Sequence, residues 1–176
     1  MGDTHPKGIS MMNKALVAGL LVALPIASAN AGGTVTMPAA VPFLEGSGVS
    51  KNIQDECGLP EYVAEQVRTS LEKAGYTVTT GTDSKKGDFL DMHIAGAVSQ
   101  GNAFTGHHKA VTVTGKLLRD GKVVGSFTDL RNSMGGAWAG YKGSCTVLHR
   151  CVVTIGQDVA KFVANPREDA QLGDAH

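Results

Sequence analysis

The chain has 176 residues, with 16 lysines and arginines against 16 aspartates and glutamates, and 42% of its residues are hydrophobic. This length suits one folded domain rather than two. The balanced charge leaves no electrostatic footprint for nucleic acid or an anionic membrane.

Met1 to Ser10 is polar and lies upstream of a better start at Met11 or Met12. It reads as an extended start, an added segment or a long natural leader. Met11-Met12-Asn13-Lys14 runs into the apolar stretch Ala15 to Ile26, followed by Ala27-Ser28-Ala29-Asn30-Ala31. A basic start, a short apolar run and a small-x-small ending form the pattern of a secretory signal peptide over 1–31. The apolar run is 12 residues, too short to span a bilayer as a helix. Cleavage is expected after Ala31. No cysteine lies near that cut, so no lipid anchor is expected. The 145 residues that follow carry a net charge near −1 and no run long enough for a membrane span. The expected destination is the periplasm, or secretion, where cysteines can pair.

Residues 32–54 are rich in Gly, Ala, Ser and Pro and read as an extended lead-in, with at most one short strand near Thr34-Val35-Thr36. Organised structure is expected over 55–166. Pro60 fits the start of a helix, and Val63, Val67, Leu71 and Ala74 form one apolar stripe. Gly75 ends it. Tyr76 to Thr80 is β-branched and aromatic, as strands prefer. Leu90, Met92, Ile94 and Val98 predict one face of a second strand, with Asp91, His93 and Ser99 opposite. Gly96 interrupts this row, as a bulge or a close helix approach would. Val111, Val113 and Leu117 alternate with Thr112, Thr114 and Lys116. Asp120-Gly121 is a hairpin turn, since both central residues need positive φ. The return strand over 123–132 should carry Val123 and Phe127 inward. Leu148, Val152, Ile155, Val159, Phe162 and Val163 predict a last helix from about Cys145 to Ala164, stopped by Asn165-Pro166. Residues 167–176 read as a disordered tail.

The predicted fold class is α+β. It is a two-layer sandwich with a mostly antiparallel sheet of about four strands and two helices on one face, the other face being solvated.

Three cysteines remain beyond the leader, at Cys57, Cys145 and Cys151. On one helix, Cys145 and Cys151 are separated by about 9 Å of rise, beyond the roughly 7 Å that a disulfide tolerates between Cα atoms. The expected bond is Cys57–Cys145. Cys151 falls on the apolar stripe and reads as a buried thiol. A Cys57–Cys151 bond is the alternative.

Gly135 to Ser144 holds the chain's one Trp. Trp138 and Tyr141, flanked by Gly136 and Gly140, suit a binding loop, because aromatic anchors recur at interfaces and glycine permits close approach. The competing reading has Trp138 folding back to cap the core. The loop lacks the Gly-Lys-Ser/Thr ending of a phosphate loop. His107 and His108, with His93 on the solvated sheet face, are the candidate metal ligands. Adjacent residues in a strand point to opposite faces, and no zinc-type spacing is present. Asp91 and His93 share a face, but no serine or cysteine is placed beside them as nucleophile. His149, next to Leu148, is expected to face outward.

Glu56-Cys57-Gly58-Leu59-Pro60, Asp88-Phe89-Leu90-Asp91-Met92, Asp120 to Phe127, Gly143 to Leu148 and Gly156 to Lys161 together resemble a group of uncharacterised bacterial envelope proteins. The wider arrangement is similar to the periplasmic domain of curli-export-channel proteins and related small envelope lipoproteins. The resemblance implies an assembly or interaction role and no enzymatic activity. This chain departs from those relatives in lacking a lipid-anchor cysteine and a long amphipathic hairpin. The expected function is a non-enzymatic binding or accessory module of the cell envelope. Its partner is an unknown envelope protein or glycan, with no cofactor. The alternative is a histidine-based metal-binding protein.

Overall fold

The computed structural model describes residues 32–102, 106–134 and 143–175. The expected signal peptide over 1–31 lies outside them. The elements run β1 (Thr34–Met37), α1 (Lys51–Glu56), α2 (Leu59–Lys73), β2 (Thr77–Thr80), β3 (Asp88–Asn102), β4 (Gly106–Arg119), β5 (Lys122–Met134), α3 (Ser144–Ala164) and β6 (Ala170–Gly173).

The six strands form one mixed sheet in the order β2-β1-β3-β4-β5-β6. β1 runs parallel to both β2 and β3, β3-β4-β5 is an antiparallel meander, and β6 runs parallel to β5. The expectation of about four mostly antiparallel strands is corrected on both counts. The two added strands, β1 and β6, are four residues each. Segments so short carry little periodicity and become strands through tertiary pairing.

β1 forms where the sequence allowed one short strand near Thr34-Val35-Thr36, whereas β6 comes from a segment whose composition suggested irregular chain. In β1, Val35 and Met37 are fully buried while Thr34 and Thr36 point the other way, the alternation of a half-buried strand. Val41, Val49 and Ile53 join the same core, and Phe43 bridges to Ile94 beside β3. At the other end, Asn165 and Pro166 stop α3, the Ser126 N–H donates to the Arg167 carbonyl at 3.0 Å, and Ala170 pairs with Phe127. Residues 170–173 therefore form an edge strand, where a disordered tail was expected.

The helices follow their sequence signals. α2 buries Leu59, Val63, Ala64, Val67 and Leu71. Gly75 takes φ 92° just past its end; its N–H donates to the Glu72 carbonyl, and that of Tyr76 to the Leu71 carbonyl. These are the two bonds of a Schellman closure, which a residue with a Cβ would strain. α3 packs on α2 and across β4 and β5, and the whole stripe from Leu148 to Val163 is buried. The opposite sheet face carries Thr36, Thr79, Asp91, His93, Thr112, Thr114 and Lys116, and no described element packs on it.

Two bulges change which residues face the helices. One lies between Ile94 and Gly96 in β3, as the glycine suggested. A bulge adds one residue and so inverts the alternation beyond it. Ala97 is therefore buried at 4% exposure, Val98 is only half-buried, and Ser99 turns to the helix side. The other shifts the register between Leu117–Gly125 and Leu118–Val123. Val123, expected inward, is 50% exposed, whereas Phe127 is buried as expected.

Candidate functional site

The expected recognition residues Trp138, Tyr141, Gly136 and Gly140 lie outside the described residues, as does the side chain of His107. The residues on the C-terminal side of that segment are described. Cys57 and Cys145 form a disulfide with an S–S distance of 2.01 Å and Cα atoms 5.0 Å apart, and Cys151 is free and buried. The bond fastens the residue after α1 to the first turn of α3. Beside it is a cavity of about 250 Å³ lined by Ser50, Asn52, Ile53, Glu56, Ser99, Ser144 and both bonded cysteines. Lys109, only 6% exposed, reaches its edge; its Nζ donates to Ser99 Oγ at 3.3 Å and to Ser144 Oγ at 3.2 Å. The Ser99 hydroxyl in turn donates to Ser144 Oγ at 2.9 Å. The sequence reading missed this cluster, because only the β3 bulge brings Ser99 to that side.

His149 corrects an expectation. Its ring is stacked on Tyr62 at a centroid distance of 4.1 Å, and Nε2 lies 2.7 Å from the Cys57 carbonyl. With a carbonyl as acceptor, Nε2 carries the proton. His149 thus ties α3 to the start of α2 and supports the disulfide from the side.

Of the candidate metal ligands, His93 and His108 are not brought together. His93 pairs with Thr114, while His108 pairs with Gln100, six residues away along β4. At about 3.3 Å per residue that is roughly 20 Å. His108 is exposed. Among the described residues no group of three His, Cys, Asp or Glu side chains could hold a metal ion. Asp91 and His93 share the open face, with Lys116 and Thr114 as their cross-strand neighbours.

A second polar cluster sits where β5, α3 and β6 meet. Asp129 on β5 is fully buried, and neither carboxyl oxygen has a hydrogen-bond partner. Arg131 gives its Nε to Asp158 on α3 at 2.9 Å and its Nη2 to the same oxygen. Lys161 Nζ approaches Asp158 Oδ1 at 3.3 Å. Arg131 stands 3.9 Å from Asp129 Oδ1 and 3.7 Å from Asp174 Oδ1, too far for hydrogen bonds. Burial, and then the Asp158 charge, push the Asp129 carboxyl up to about 7. A cavity of about 290 Å³ opens next to this cluster, lined by Arg131, Asn132, Ser133, Arg150, Cys151, Thr154 and Asp174. Burial also raises the Cys151 thiol, which disfavours a thiolate there.

No family model matches the chain, and no curated protein matches it. Solved structures do. A Xanthomonas campestris protein is 12% identical over 74% of this chain and 84% of its own, with a TM-score of 0.49. The PelC dodecamer from Paraburkholderia phytofirmans is 12% identical over 70% and 86%, with a TM-score of 0.46. A minor lipoprotein from Acinetobacter baumannii is 11% identical over 75% and 93%, with a TM-score of 0.42.

Proposed function

We propose that the chain is a non-enzymatic binding or accessory module of the bacterial envelope, acting in the periplasm or outside the cell. The observation that carries this reading is the Cys57–Cys145 bond and its position. Disulfides persist where the surroundings are oxidising, which agrees with the leader pattern ahead of Gly32. The bond also stiffens the point from which the Trp138–Tyr141 segment departs. Recognition residues are commonly carried on loops set on such rigid supports. The open sheet face offers a second, polar contact surface. Its threonines, Asp91, His93 and Lys116 suit a protein or glycan partner rather than an apolar one. The histidine-based metal reading would rest on His107 and His108, since His93 lies far from His108 along the sheet.

The test is site-specific photocrosslinking in the full chain expressed in its native envelope. A crosslinker at Trp138 is compared with one at exposed Glu65 on α2. The expected result is a discrete adduct from position 138 and none from position 65, in a fraction where the chain begins at Gly32. A chain retained in the cytoplasm, or equal labelling from both positions, overturns the reading.

A further inference from the structure

We propose that β6 is a pH-operated latch, seated on the edge of β5 while Asp129 is protonated and released when Asp129 ionises. The inference is independent of any partner. Asp129 lies directly beneath the end of β6. A Cβ built on Gly173 would stand 2.6 Å from Asp129 Oδ1, and Gly173 itself has φ +66°. Only a glycine fits this backbone against the carboxyl group. The seat is closed by the Asp174 N–H, which donates to the Leu130 carbonyl at 2.7 Å, and by the Asn132 N–H, which donates to Asp174 Oδ2 at 2.8 Å.

The charges around this carboxyl do not balance once it ionises. Arg131 on its own strand and Lys161 on α3 are both hydrogen-bonded to Asp158, also on α3. Asp174, just beyond β6, is a further negative charge. On the β4 side the opposite residue is Val113, and within β6 the paired residue is Leu172. Asp169, at the start of β6, is turned to the Ser126 hydroxyl. Three carboxylates would thus face two cations already engaged, and Asp129 would have no donor. A buried ionised carboxylate without donors must regain water. Two elements cover it. α3 is a helix of 21 residues whose stripe is the core; β6 is a four-residue edge strand with one buried residue. Lifting β6 is the smaller change, and it also carries Asp174 away. The position of the Asp129 titration, near neutral, puts the transition in an accessible range.

Hydrogen exchange on the disulfide-intact chain tests the latch, with exchange times scaled for intrinsic rates. Amides over 170–174 should lose at least tenfold in protection between pH 5.5 and pH 8.5, while those of α3 hold. Asp129→Asn should keep β6 protected at both values. Equal wild-type protection at the two pH values overturns the proposal, as does an unchanged pH dependence in Asp129→Asn. Because that variant can fail to fold, the wild-type Asp129 carboxyl is also titrated by isotope-edited infrared or carbon NMR. Its midpoint must coincide with that of β6 exposure; midpoints more than one pH unit apart overturn the latch.

Discussion

Gly156 of α3 lies against the backbone of α2 at Gln66: a Cβ built on the glycine would stand 2.6 Å from the Gln66 carbonyl oxygen. The two helices approach closely here, and the contact is with backbone, which cannot swing aside. Gly156→Ala therefore sets two effects against each other. Helix propensity favours alanine by about 1 kcal/mol. Overpacking against a fixed carbonyl costs about 1–3 kcal/mol. Because the contact is with backbone that cannot swing aside, the clash should win, giving a net loss of up to about 2 kcal/mol by these magnitudes. Urea denaturation checks this, and an unchanged or raised midpoint would contradict it.

The disulfide should be the largest single covalent contribution to stability. Its cysteines are 88 residues apart in sequence. Closing a loop of that size contributes about 3–5 kcal/mol in the chain-entropy model. Cys57→Ser with Cys145→Ser should lose that amount, and adding reductant to the wild type should reproduce the loss. Cys151→Ala removes only a small buried thiol, and about 1 kcal/mol is expected. A larger effect from Cys151 than from the paired cysteines would reverse the assignment.

Stability should fall as pH rises toward neutrality, and Asp129 supplies the sign. Its folded-state pKa is raised from 3.8 to about 7. Between those values the folded chain holds a proton that the unfolded chain has released, so stability declines with increasing pH. The contribution is fully present below the unfolded value and is lost as pH rises through about 7. A shift of this size corresponds to at most about 4 kcal/mol. Asp129→Asn should flatten the decline, measured by denaturation at pH 4.5, 6 and 8. A wild type with constant stability over that range would contradict it.

These residues also mark the limit of what sequence reading reached. The Val63-Val67-Leu71 stripe, the Asp120-Gly121 turn and the α3 stripe are local signals, and each produced its element. For the Cys57–Cys145 bond, helix rise excluded the Cys145–Cys151 pair and the apolar stripe favoured Cys151 as the buried thiol, with Cys57–Cys151 left as the alternative. Asp129 was legible in principle: it lies two residues beyond buried Phe127 and so on the same face. It was passed over because a carboxylate is not expected inside. Val123 was misplaced because the register shift beside Val124 leaves no mark in the residues themselves. β6 and the Lys109–Ser99–Ser144 cluster depend on contacts between distant segments, which no short window contains. His149 meets the Cys57 carbonyl because the disulfide has already brought the two segments together.

Trp138 decides between the binding loop and the core cap, and its replacement separates them. Both readings start from the described core, which runs from Val35 and Met37 through Ile155 and Val163. On the proposed binding-loop reading, Trp138→Ala, alone and with Tyr141→Ala, leaves the denaturation midpoint within about 0.5 kcal/mol of the wild type, as for a surface site. In the same variants the photocrosslinked or co-purified partner should be reduced at least tenfold, because aromatic anchors concentrate interface energy. A core cap predicts the reverse: a stability loss of about 3–5 kcal/mol on truncating a buried Trp, with residual binding in proportion to the folded fraction. A large fall in stability with binding otherwise intact would remove Trp138 from the recognition surface and leave the open sheet face as the place to look for contact.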